Sequence, residues 1–116
     1  MALLKIDERP KSAMSEVLIR IKRAVLTGRY VFSEKARMEM ERDALTELDV
    51  AESILNAVAI YKRLRSKSPF REQSREYLYV IQSTNLQGLP IYSKGKLVSE
   101  AGLETYYFLV SSKRVL

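Results

Sequence analysis

The stretch from Leu89 to Arg114 constrains this chain more than any other. It reads as two strands, Leu89–Val98 and Thr105–Val110, separated by Ser99-Glu100-Ala101-Gly102, whose small and polar residues suit a reversal. Folded as a hairpin, it brings Tyr92, Lys94, Lys96, Lys113 and Arg114 onto one small sheet. Tyrosine, lysine and arginine can position a phosphodiester, move a proton and neutralise charge without a metal. The hairpin therefore predicts an RNA-cleaving site.

Upstream, the periodicity is helical. Met14, Val17, Leu18, Ile21, Ala24 and Val25 recur at spacings of three and four, with Ser12 placed to cap and Gly28 to stop that helix. Residues 1–12 read as an arm. Arg29-Tyr30-Val31-Phe32 is short, extended or loop-like, and anchors two aromatics in the core. Ser33 caps a helix over Glu34–Arg42 with Ala36 and Met40 inward; Thr46 caps another, with Asp49 in the capping-box position and Leu45 and Val50 as a hydrophobic staple. Val50, Ala51, Ile54, Leu55 and Val58 form its predicted buried stripe, and Glu34, Glu39, Glu41, Glu47 and Glu52 are assigned to outer faces.

The second half reads as sheet. Ala59–Arg65 predicts a first strand, 66–75 a polar loop containing Pro69, and Tyr77–Gln82 a strand with Tyr77, Tyr79 and Ile81 on one face. Asn85-Leu86-Gln87-Gly88 is a turn. Helices followed by strands make one α+β domain over residues 1–116, N-terminal helices packed on a small antiparallel sheet.

Composition narrows the chemistry. The 116 residues contain no histidine and no cysteine, so imidazole bases, thiol nucleophiles and the usual zinc sites are excluded. No metal or other cofactor is expected. The N-terminus lacks a signal-peptide core and no apolar run is long enough to span a membrane, which predicts a cytoplasmic protein with no membrane partner. The net charge of +6 is uneven: residues 29–59 carry four basic and seven acidic groups, residues 60–116 ten and four. That asymmetry favours a polyanion. Between Lys62 and Glu76, six cations (Lys62, Arg63, Arg65, Lys67, Arg71, Arg75) are interleaved with Phe70 and flanked by Tyr61 and Tyr77, a pattern suited to single-stranded RNA. A solvated loop whose aromatics reach back to the core fits those residues equally well.

Gly28-Arg29-Tyr30-Val31-Phe32-Ser33-Glu34-Lys35-Ala36, Leu45-Thr46-Glu47-Leu48-Asp49-Val50 and Gly88-Leu89-Pro90-Ile91-Tyr92 together resemble a family of small bacterial proteins of unassigned function. The chain is similar, over roughly residues 14–114, to the motility quorum-sensing regulator (MqsR) toxins within the RelE-type ribonuclease fold. Tyr61-Lys62, Tyr92-Ser93-Lys94 and Ser112-Lys113 stand where that family carries Tyr-Lys, Tyr-x-Lys and Ser-x-Lys motifs. The resemblance implies a metal-independent endoribonuclease toxin (an mRNA interferase) with Lys62, Tyr92 and Lys113 catalytic, and with Gln73 or Arg75 replacing the family's glutamine. Two histidines of the unassigned family's pattern are Lys35 and Tyr92 here, so no histidine-dependent activity carries over.

The expected reaction is attack of the ribose 2′-hydroxyl on the adjacent phosphorus. Tyr92 serves as acid or base if neighbouring lysines lower its pKa. Arg63, Arg65, Arg71, Gln73, Arg75, Lys94 and Arg114 are the candidate substrate-binding groups. Expected partners are single-stranded RNA and a cognate antitoxin, with homodimerisation left open. Two rivals stay open: a module of the same fold that grips RNA or a protein without cutting, and an interaction protein that blocks a target such as a topoisomerase.

Overall fold

The computed structural model of the chain describes residues 13–67 and 76–115. These residues form three helices and a five-stranded sheet, an α+β fold. The helices are α1 (Ala13–Leu26), α2 (Glu34–Arg42) and α3 (Glu47–Asn56). The strands are β1 (Tyr30–Phe32), β2 (Lys62–Arg65), β3 (Tyr77–Thr84), β4 (Pro90–Glu100) and β5 (Leu103–Arg114), in spatial order β1-β5-β4-β3-β2. Arg71, Gln73 and Arg75, three of the predicted RNA contacts, lie outside the described residues.

The local signals act where expected. Val17, Leu18, Ile21, Ala24 and Val25 are buried along α1. Past its end, Gly28 adopts φ +77°, with Gly28 N–H donating to the Val25 carbonyl and Arg29 N–H to that of Ala24, the paired bonds of a Schellman motif. Ser33 Oγ accepts from Ala36 N–H at the start of α2. Thr46 and Asp49 exchange side-chain-to-backbone hydrogen bonds, a complete capping box on α3. Leu45 and Val50 are both buried, as the staple requires.

Four expectations are corrected. The sheet is mixed rather than antiparallel, because the extended Tyr30–Phe32 segment is a strand that joins the edge of β5 in parallel. β5 runs from Leu103 to Arg114 rather than from Thr105 to Val110, and this longer strand carries Lys113 and Arg114 on the sheet as expected. The buried stripe of α3 stops at Ile54: Leu55, still within the helix, is 37% exposed, and Val58 is 97% exposed because the helix ends at Asn56 and its period no longer applies there. Finally, Glu39 and Glu52 are not simply solvated. Glu52 accepts from Leu86 N–H in the turn between β3 and β4, and Glu39 reaches β5.

Strand alternation divides the sheet into two faces. Ile81, Ile91, Tyr107 and Leu109 point to the helices and are buried in the core with Ile21, Val50 and Ile54. Tyr107 packs directly over Gly95; a Cβ at Gly95 would sit 2.6 Å from the Tyr107 Cζ and 2.7 Å from the Phe108 carbonyl oxygen. The opposite face is bordered by α2, whose Arg42 and Asp43 line a groove with Tyr92 and Lys113. No helix among the described residues is long and apolar enough to cross a membrane.

Candidate functional site on the open face

The open face is set by a single extra residue. β4 and β5 pair as Tyr92↔Lys113, Ser93↔Ser112 and Lys94↔Ser111, then as Gly95↔Leu109 and Lys96↔Phe108, which leaves Val110 as a bulge. One inserted residue changes the phase of every side chain beyond it. Leu109 faces the helices, and without the bulge Lys113 would share that face. With it, Lys113 emerges on the open side directly opposite Tyr92, and Ser112 turns inward.

Helix α2 pins this irregularity. Ser33 N–H donates to the Leu109 carbonyl at 2.8 Å, and Ser33 Oγ donates to the carbonyl of Val110 at 2.9 Å. Beyond the bulge, Glu39 Oε1 accepts from Ser111 Oγ at 2.7 Å and from Ser112 N–H at 3.0 Å, while Asp43 Oδ2 accepts from Arg114 N–H at 3.0 Å. Glu39 and Asp43 are four apart and share one helix face. Their carboxylates thus serve the amides that β5 presents along its outer edge, beyond the reach of β1, in place of a neighbouring strand. Only the four-residue spacing of two acids in α2 hinted at this in the sequence, and the amides that they meet are about seventy residues away.

Four predicted residues share the open face. Tyr92 and Lys113 are cross-strand partners, with the Lys113 ammonium 5.2 Å from the Tyr92 ring centroid. Lys94 lies two residues along β4 on the same face, and Lys62 pairs with Val80, which pairs with Lys94, so Lys62 lies two strands away in the same row. Lys96 also faces this side, where it binds Glu76 at 3.1 Å and lies over Phe108. Arg63 and Arg65 alternate to the opposite face of β2, Arg63 stacked 4.3 Å over the Tyr77 ring. Arg114 alternates away from Lys113, but at the strand's end it joins Arg42, Asp43, Gln82, Tyr92, Lys113 and Val115 in lining a groove of about 600 Å³.

The electrostatics reassign two roles. Burial, reinforced by the Glu39 carboxylate, raises the Tyr92 phenol above its ordinary pKa. The condition for Tyr92 to act as a base, a lowered pKa, is therefore not met, and the phenol is a hydrogen-bond donor at neutral pH. Lys94 moves the other way. Burial first, then Lys35 on α2, and more weakly Lys113, lower its pKa, with Glu39 opposing them. A half-buried amine among like charges is the group on this face best suited to exchange a proton. At the rim, the hydrogen bond from Arg42, followed by that from the Arg114 amide, holds Asp43 down at about 2.

No family model, no curated protein and no solved structure matches the chain.

Proposed function

We propose that the open face binds single-stranded RNA and cleaves it without a metal, as the toxin of a toxin–antitoxin pair acting in the cytoplasm. The observation that carries this reading is Lys94, an amine whose pKa is lowered by burial and by the charges of Lys35 and Lys113, set on the same sheet face as the cross-strand pair Tyr92 and Lys113. The resemblance to the MqsR toxins, with their RelE-type fold, favours RNA cleavage over generic anion binding.

In this reading neutral Lys94 takes the proton from a ribose 2′-hydroxyl. The 2′-oxygen forms a bond to phosphorus, the bond from phosphorus to the 5′-oxygen breaks, and a 2′,3′-cyclic phosphate results. The leaving 5′-oxygen takes a proton from the Lys113 ammonium, and the Tyr92 hydroxyl donates a hydrogen bond to a non-bridging oxygen as charge builds. Lys62, one row across the sheet, holds a neighbouring phosphate. Because the base is an amine, the rate rises with pH until Lys94 is deprotonated, a rise that ends below the ordinary lysine pKa. DNA, which has no 2′-hydroxyl, is not cut.

A second reading, a module that binds RNA without cutting it, is favoured by one feature: the raised phenol of Tyr92. Incubation with mixed-sequence single-stranded RNA in EDTA separates the two. Cleavage by the parent that falls at least about 100-fold in both Lys94→Ala and Lys113→Ala, with Tyr92→Phe less affected, is the expected result. RNA bound but left intact by the folded parent would overturn the enzyme and leave the binding module.

A further inference from the structure

Helix α2 turns one face along β5. Glu39 and Asp43, four residues apart on that face, accept from Ser111 Oγ and from the amides of Ser112 and Arg114. Lys35 precedes Glu39 by four residues and continues the row. The start of the helix is fastened as well, since Ser33 donates its N–H and its hydroxyl to the carbonyls of Leu109 and Val110. The backbone that carries Lys35 is therefore tied to β5 on both sides.

This row meets Lys94 across the strand. Ser111, whose hydroxyl bonds Glu39, is the cross-strand partner of Lys94. One helical turn from Glu39, Lys35 borders the same stretch of the open face. The ionisable groups around Lys94 are Lys35 and Glu39 from α2, Lys113 from β5, Tyr92 and Lys96 along β4, and Lys62 from β2, while β3 contributes the uncharged Val80. Lys96 is paired with Glu76, Lys113 lies over the Tyr92 ring and Lys62 over that of Tyr61. Lys35 is exposed and makes no hydrogen bond, ion pair or ring contact among the described residues. Its charge nevertheless acts on Lys94 more strongly than that of Lys113 on the adjoining strand.

We propose that Lys35 is a positioning residue of the site: α2 holds its ammonium beside Lys94, so that the Lys94 amine gives up its own charge more readily and can take the ribose proton. The assignment rests on the RNA-cleaving reading of the open face and adds to the strand residues one supplied by a helix. A second cation close to a half-buried lysine disfavours the charged form of that lysine, which is a general way of making an amine reactive near neutral pH. Glu39, on the same helix face, opposes the effect, and the bonds it accepts from Ser111 and Ser112 commit one of its oxygens to β5.

The test has two readouts on the full chain: the pH dependence of single-stranded RNA cleavage in EDTA, and a nuclear magnetic resonance titration of the lysine side chains, with the Lys94 signal assigned by its loss in Lys94→Arg. The variants are Lys35→Met, which keeps the aliphatic stem, and Lys35→Arg, which keeps the charge. In Lys35→Met the Lys94 titration and the acid limb of the rate profile are expected to move together to higher pH. The rate below the limb then falls about tenfold for each pH unit of movement, while the plateau above it is kept. Lys35→Arg should restore both. A Lys94 titration that stays in place in Lys35→Met would overturn the proposal whether or not RNA is cut. A rate that falls equally at every pH would overturn it too, since Lys35 would then serve only to bind the strand. A titration that moves in a chain whose parent leaves RNA intact would overturn the cleavage reading and leave the coupling of Lys35 to Lys94 standing.

Discussion

The two faces of the sheet are built by the same strands and behave as different materials. On the helix side, Ile81, Ile91, Tyr107 and Leu109 are buried, and a Gly95 without a side chain lets the Tyr107 ring lie flat on the backbone. On the open side, Lys62, Tyr92, Lys94 and Lys113 stand over the same backbone, with Val80 buried between the stems of its neighbours. The first face tolerates no change of volume; the second tolerates changes of side chain but depends on phase. Stability and the proposed function are thus separated by the two-residue period of a strand, and Val110 sets the phase at β5.

The comparison is broken most severely at Gly95. Gly95→Ala would force a methyl into the Tyr107 ring and the Phe108 carbonyl, neither of which can yield cheaply, and should lower the unfolding free energy by about 3 kcal/mol in a denaturant titration. An unchanged midpoint would mean that the two strands have room to part. Deleting Val110 attacks the open face instead. With the bulge gone, Lys113 turns towards the helices, and RNA cleavage should fall about 100-fold, as deeply as in Lys113→Ala. Activity retained by a folded deletion variant would show that the bulge does not position Lys113.

The smallest effect sharpens the helix side. The Tyr107 hydroxyl is fully buried and has no hydrogen-bond partner among the described residues. Burial raises its pKa far above the ordinary phenol value, so the folded state keeps it neutral where the unfolded chain ionises. Its contribution to stability is therefore present below about pH 10 and lost as the pH climbs beyond that. Tyr107→Phe removes both the orphan hydroxyl and this liability. It should be as stable as the parent or up to about 1 kcal/mol more stable at neutral pH, with a shallower alkaline loss in melting temperature. A marked destabilisation would mean that the hydroxyl has a partner.

The sequence carried the local half of this structure. Caps at Ser33 and Thr46, the glycine at Gly28 and the period of α1 involve groups within a few residues of one another, and such signals survive without knowledge of the fold. That the hairpin brings Tyr92 and Lys113 onto one sheet was also legible, but not that they pair. What was hidden depends on distant partners. The parallel docking of β1 joins Tyr30 to Tyr107, and Glu39 reads as a surface acid until Ser111 and Ser112 are placed beside it. The bulge at Val110 has no signature in a run of strand-forming residues, so the extent of β5 and the side on which Lys113 emerges could not be derived. Arg63 and Lys62, adjacent in sequence, were assigned to one RNA surface although the alternation of their strand sends them to opposite faces.

The most direct test of the central idea, that the open face is where RNA meets the chain, is a nuclear magnetic resonance titration of labelled protein with a short single-stranded RNA carrying a 2′-methoxy block against cleavage. Shifts concentrated at Tyr92, Lys94, Lys113 and Lys62, with the amides of α1 and α3 unmoved, are the predicted result. Shifts confined to the helix side, or none at RNA concentrations that saturate ordinary nucleic-acid binders, would contradict it.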